Sequence, residues 1–513
     1  MNLKWTILAL LLLTLPALRA QTGVYTVNGG TASQTDQTYN ATETDQSSVY
    51  VLNSGVLTLS NCTMTKTGDA SDVNESSEYG LNAGVLAASG GMVTISAGSV
   101  TTEASGANGL FATGTNSAIS MSGGSISAVG TSAHGVDATY GGAITLSDVD
   151  VYTNGDNSSA VATDFGGGTV TVTGGTIISA ATGSESHSAG IYSTGTITVS
   201  GAIVSSAADC GGVIDGANHI ILNNTTLTGH KHGFKLWKTA PATGPATITV
   251  SGGSVTSETG AIFYVTGETG NAASATLAMN DGATCTATAG NLIEVTEGSS
   301  ATLTISNADP AGNLVADDSS SLNVILQNGA TLSGTSTQAN VTLDVASVWT
   351  LTGESHVLVI SNSAGIAGSA VTNIVGNGYA LYYDPDASGN SYLNGGTYSL
   401  VNGGHLLPEG AIANDTETAV SPVTIGLCAY PNPFNPSTTI AFNLSQSGYA
   451  CLVIYDLRGR EVVSLLNGSL SAGLHTVTWN GRDNQGHSVA SGVYLARLVA
   501  GGASTTNRLM LLK

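Results

Sequence analysis

Two acidic residues and a histidine are the first candidates for chemistry in this chain of 513 residues. Val136-Asp137-Ala138-Thr139 and Val161-Ala162-Thr163-Asp164 read as equivalent short strands, one repeat apart. If Val136 and Ala138 point into a core, Asp137 and Thr139 point out, because successive side chains of a strand alternate. Ala162 and Asp164 then point out one repeat later. Asp137 and Asp164 would share a face, offset by two residues and one strand, roughly 8 Å apart. Two carboxylates at that separation leave room for a water, which is the geometry of inverting glycoside hydrolysis. His134 is near enough to assist. These repeats hold no Arg or Lys to bind an acidic sugar, and solvated surface acids are the competing reading.

A second cluster runs His230-Lys231-His232-Gly233-Phe234-Lys235-Leu236-Trp237-Lys238. With Phe234 and Leu236 facing in, Lys235 and Trp237 lie together on the outer face, next to Lys238. An indole beside a cation can stack on a sugar ring or accept an acidic group. The competing reading is an aromatic that covers a loop such as residues 239–245. Two histidines two apart, with no carboxylate beside them, specify no metal, so neither a metal nor a cofactor is expected. Asp384-Pro385-Asp386-Ala387-Ser388-Gly389 lacks the distal glutamate of a calcium loop and reads as a turn.

These side chains need a scaffold, and the middle of the chain repeats. A small residue or Asn followed by an apolar one recurs at 84, 109, 135, 160, 190, 212, 233, 261, 291 and 313. Each unit then carries an alternating strand, as in Val93-Thr94-Ile95, Ile144-Thr145-Leu146, Val170-Thr171-Val172 and Ile248-Thr249-Val250. Several add a third after a glycine corner, as in Gly98-Ser99-Val100 and Gly124-Ser125-Ile126. Three short strands in about 25 residues describe one rung of a parallel β-helix, which buries its apolar face only against neighbouring rungs. Val, Ile and Leu go inward; Thr and Ser go outward. About a dozen rungs at ~4.8 Å each give a rod of roughly 60 Å. The chirality of parallel crossovers makes the expected hand right. Beyond Asn340 the spacing turns irregular and aromatics accumulate, so residues 341–407 read as final rungs and a cap that shields the last edge. The pattern resembles the pectate-lyase-like β-helix superfamily and adhesin-like bacterial surface proteins over most of residues 45–400.

The last 86 residues have a different character. Runs at 439–444, 450–456, 475–479 and 493–498 are rich in β-branched and aromatic residues, which is strand composition. Arg458-Gly459 and Asn480-Gly481 are turn dipeptides between them. Three prolines in 431–436 lack amide donors and make that stretch an extended lead-in. The segment carries Pro431-Asn432-Pro433-Phe434-Asn435-Pro436, then Tyr455-Asp456-Leu457-Arg458-Gly459-Arg460, Trp479-Asn480-Gly481 and Ser491-Gly492-Val493-Tyr494. In order and spacing these motifs resemble the C-terminal sorting domain of bacterial type IX secretion cargo. That resemblance implies an exported protein whose tail is recognised at the outer membrane. A generic immunoglobulin-like sandwich, as in flagellar hook-cap proteins, is the competing reading.

The other end agrees. Lys4 precedes an apolar run at 7–15 broken by Pro16, and Leu18-Arg19-Ala20 offers a cleavage point, as in a secretory signal peptide. No later stretch is long and apolar enough to span a membrane. Between residues 21 and 427 lie 31 of the 34 acids but only 4 of the 12 bases, a net charge of −27. That excludes nucleic acid and anionic lipid as natural partners, since phosphates need clustered cations. The 5 cysteines lie far apart without metal-ligand spacing and read as small buried hydrophobes.

The expected organisation is all-β: a signal peptide (1–20), a right-handed parallel β-helix of three-strand rungs with a terminal cap (21–410), a linker (411–427) and a small immunoglobulin-like β-sandwich (428–513). The expected function is an exported, cell-surface or extracellular protein, non-catalytic, adhesive or glycan-binding. Its partners are the type IX machinery, through the tail, and extracellular glycan. The alternative is a polysaccharide-active hydrolase or lyase.

Overall fold

The computed structural model describes residues 21–182, 188–240, 243–267, 270–411, 427–444, 448–456, 458, 460–471, 473–500 and 503–512. The expected signal peptide and nearly all of the expected linker lie outside them. The chain divides into two units, one of residues up to Ile366 with Tyr382–Gly395, the other of Ala367–Leu381 with Gly396 onward.

The first unit is a parallel β-solenoid. One sheet stacks 13 parallel strands, from Thr22–Asn28 to Ser336–Thr337. The second strands of successive rungs align residue for residue, so Ile95, Met121, Leu146, Val172 and Val199 form one inward column. All five are buried, while the intervening Thr94, Ser120, Thr145, Thr171 and Thr198 face out. Met92–Thr102 and Ala118–Ala128 run unbroken through the corner between two faces. Glycine makes that bend possible: at Gly124, with φ +90°, a Cβ would lie 2.0 Å from the Gly98 carbonyl oxygen.

The register departs from the sequence reading by one residue at three rungs: Phe234 pairs with Phe263, and Phe263 with Ile293, so the units read as starting at Ala261 and Asn291 start one residue later, and the one read at Gly212 starts one residue earlier. Gly212 pairs with Phe234 rather than with Gly233, so Gly212 takes the inward position and Val213 faces out. Phe234 fills the space a side chain at 212 would occupy, since a Cβ there would lie 2.7 Å from its ring.

Helix α1 (Val73–Tyr79) was not expected from the periodicity. Asp72 caps it by accepting the Asn74 and Glu75 N–H groups, and Gly80 ends it with φ 72°. The outward side chains Tyr50, Leu86 and Phe111 form an apolar cluster on the 13-stranded sheet. α1 lies over interior strands of that sheet and spans their length. Ser76 donates to the Gly106 carbonyl, ahead of Leu110–Thr113, and Thr139, the last residue of Val136–Thr139, donates to the Glu78 carbonyl at 3.0 Å. Among the described residues no helix is long and apolar enough to cross a membrane.

In the second unit, Tyr398–Val401 pairs in parallel with Ala370–Val375 and antiparallel with His405–Pro408. The chain from Leu427 forms an immunoglobulin-like sandwich of three- and four-stranded antiparallel sheets. Its core packs Phe434, Ile440, Phe442, Leu452, Trp479 and Leu498. The motif residues hold this domain together. Asn432 donates to the Arg508 carbonyl (2.7 Å) and accepts the Met510 N–H (2.8 Å), clamping the last strand to the lead-in. The Phe434 ring sits 5.4 Å from Trp479, and Tyr494 meets Trp479 edge-on at 5.1 Å. Asp456 accepts the Arg458 and Arg460 N–H groups and pairs with the Arg460 guanidinium at 2.7 Å. Gly459 lies outside the described residues.

Candidate functional site

Strand register places the outward side chains of the 13-stranded sheet in rows. One row holds Asp137, Ala162, Tyr192, Val213, Lys235 and Tyr264. Two residues along, Asp164 falls opposite Thr139, and Asp215 opposite Trp237. Before the strands, backbone pairing sets His134, Ala189, Cys210 and His232 in a third row. Ala189, Cys210 and Val213 make a low floor against which Tyr192 and Trp237 pack. The result is a cleft of about 560 Å³, bounded at one end by Asn74 and Ser77 of α1 and at the other by Trp237, Thr239 and Tyr264.

The charged groups of this cleft are mostly paired or neutralised. Burial first, then the charges of Asp215 and Glu78, raise the Asp164 carboxyl to about 6, against the Phe165 N–H that it accepts. Burial keeps His134 and His232 neutral, lowering each to about 4. Their Nδ1 atoms accept the Ser159 N–H (3.0 Å) and the Ala261 N–H (3.1 Å). The ring proton of each is thereby fixed on Nε2. The Lys235 ammonium lies 3.8 Å from the centroid of the Trp237 ring. Lys231 pairs with Asp209 at 3.5 Å. Asp215 accepts the Thr239 N–H at 2.9 Å and its hydroxyl at 2.6 Å. Phe165, beside Asp164, holds φ 27°, a strained conformation for a bulky residue.

Asp164, His134, Lys235 and Trp237, read as two separate clusters in the sequence, line this one cleft; Lys238 does not. Asp137 points outward as expected, yet it is fully buried rather than solvated, because α1 lies over the sheet at its strand. Neither of its oxygens has a hydrogen-bond partner among the described residues. Burial first, then the Asp164 charge, push it well above the ordinary carboxylate value, against the pull of the nearby Ala138 N–H, which lies outside good hydrogen-bond geometry. Sequence reasoning missed Tyr192, Asp209, Asp215, His232 and Tyr264 as lining residues. A correct register at Gly212 would have put Asp215 in the row of Asp164. Among the described residues no group of His, Cys, Asp or Glu could hold a metal ion.

Residues 434–504 match the FlgD Ig-like domain. No curated protein matches the chain. Among solved structures the chain is similar to dimeric latent PorU from Porphyromonas gingivalis, with 21% identity over 21% of this chain and 10% of that one, at a TM-score of 0.17. It is similar to PorZ, a surface component of the type IX secretion system of the same organism, with 27% identity over 17% of this chain and 12% of that one, at a TM-score of 0.14. The cell-surface chitinase ChiW from Paenibacillus sp. shows 13% identity over 66% of this chain and 24% of that one, at a TM-score of 0.16. The chain spans 10% of PorU, 12% of PorZ and 24% of ChiW.

Proposed function

We propose that the protein is exported to the cell surface and that its solenoid binds an extracellular glycan in the cleft of the 13-stranded sheet. The observation that carries this reading is the lining itself. One cleft of about 560 Å³ combines the rings of Tyr192, Trp237 and Tyr264 with two neutral histidines. Flat aromatic faces suit the C–H faces of sugars, and neutral N–H donors suit their hydroxyls. Lys235, over the Trp237 ring, adds room for an acidic substituent.

Hydrolysis is the weaker reading. It needs two carboxylates facing a bound sugar, and Asp137 lies beneath α1. Asp164 keeps Asp215 as a partner on its own face, but two strands away and already accepting two hydrogen bonds from Thr239.

The double variant Lys235→Ala, Trp237→Ala is expected to keep its fold and lose about tenfold or more in affinity for the glycans the parent recognises on an array. Undiminished binding by a variant with the parent's circular dichroism would remove this site and leave the rod as a scaffold.

Export rests on the tail motifs, which in order and spacing resemble a type IX sorting signal and whose side chains build a domain with its own core. Removing residues 428–513 is expected to abolish surface display in a host with that secretion system while the solenoid still folds. Normal surface levels of the truncated chain would defeat the assignment.

A further inference from the structure

We infer that the cleft takes the end of a glycan chain rather than its interior; this rests on the glycan reading above and adds to it which part of the polymer is recognised.

The cleft runs across the strands, along the solenoid, and one of its ends is closed. Upstream of Asp137 the outer face of the sheet is apolar, with Tyr50, Leu86 and Phe111 in one row. α1 covers that row, and its Gly80 cap sits so close that a Cβ would lie 2.5 Å from the Phe111 ring. The helix is tied down along its length. Ser76 donates to the Gly106 carbonyl, Asn108 to the Ser76 carbonyl at 3.4 Å, Tyr140 to the Glu78 carboxylate, and Gln21 to the Tyr79 carbonyl at 3.1 Å. Lifting it would expose three large apolar side chains, so α1 is a fixed wall and not a lid.

Both ends of the cleft carry polar groups, with Asp215, Lys231, His232 and Lys235 beside Trp237, and only the end at α1 is closed. The polar groups Asn74, Ser77, Ser132, His134 and Asp164 gather at the wall. The apolar floor and Trp237 lie further along. From the strand of Asp164 to that of Trp237 there are three strand steps, about 14 Å. A short oligosaccharide fits that length. Its terminal sugar would present its extra hydroxyl to the polar group at the wall, whereas an interior sugar would have to continue its chain through α1.

The test uses the full chain lacking only residues 1–20. It measures affinity and stoichiometry on hexasaccharides of linear β-1,3-glucan, β-1,4-mannan, β-1,4-xylan and alginate, and on the long soluble polymer of each. For every series that binds, the polymer should take up one protein per recognised chain end, with the hexasaccharide's affinity. Many proteins bound at intervals along each polymer chain would overturn the inference while leaving the glycan reading intact. Failure of every hexasaccharide and polymer would remove the glycan reading, and the inference with it. Independently, Ser77→Trp should weaken hexasaccharide binding about tenfold at unchanged melting temperature, by filling the closed end; unchanged affinity in a folded variant would also overturn it.

Discussion

Val170→Asp is expected to cost several kcal/mol of stability, while Thr171→Asp, one residue on, costs under about 1 kcal/mol. Val170 is fully buried between Ile144 and Ile197 of the neighbouring rungs. A carboxylate there loses its water and finds only hydrocarbon. It can take up a proton, strain the rung or pull it open, and each route is expensive. A solenoid rung is supported only by the rungs on either side, so the damage cannot be shared across a larger core. Thr171 lies between Thr145 and Thr198 on the outer face, where a charge stays hydrated. Thermal melts of the two variants, followed by circular dichroism, compare the positions directly. Equal losses of melting temperature would show that the inside and outside of the rung have been exchanged.

That contrast was legible because period-2 alternation is strict wherever one face is dry and the other wet. Val93, Ile144, Val170 and Ile248 could be assigned inward from sequence alone, and all are buried. The same rule failed at Asp137 for a definable reason. The strands Val85–Ala88 and Leu110–Thr113 carry apolar side chains in succession, Val85-Leu86 and Leu110-Phe111, which means that both faces of the sheet are covered. The cover is α1, and its signals, Asp72 as cap and Gly80 as stop, flank only seven residues. A helix that short leaves no readable 3.6-residue period. The cleft itself was legible in pieces. Lys235 and Trp237 follow from alternation, but their meeting with Asp164 depends on the one-residue register at Gly212, which a side-chain-free position conceals. In the tail, the Asn432, Phe434 and Trp479 motif could be recognised without showing its mechanics. The contact of Asn432 with Arg508 and Met510 joins residues more than seventy positions apart.

Asp164→Asn is expected to alter how stability depends on pH, rather than to shift it uniformly. Asp164 is raised from 3.8 to about 6, so the folded chain keeps this proton in a range where the unfolded chain has released it. Its contribution is therefore full below about pH 4 and is lost as pH rises to about 6. At about 1.4 kcal/mol per unit this amounts to roughly 2–3 kcal/mol, trimmed by solvent screening where the carboxyl borders the cleft. Asp137 acts in the same direction. His134 acts in the opposite one: burial lowers it from 6.5 to about 4, so its contribution is full above 6.5 and is lost as pH falls toward 4. His232, also lowered to about 4, adds to that opposing slope. In the parent these opposing slopes overlap between pH 4 and 6.5, and single variants separate them. Relative to the parent, Asp164→Asn should gain stability at pH 7 over its value at pH 4. His134→Asn, which keeps an acceptor for the Ser159 N–H, should instead gain at pH 4 over pH 7. Denaturant unfolding of the three proteins at both pH values reads these differences. Parallel displacement of either variant at the two pH values would mean that its side chain titrates alike folded and unfolded, and that the cleft does not hold Asp164 protonated and His134 neutral near pH 5.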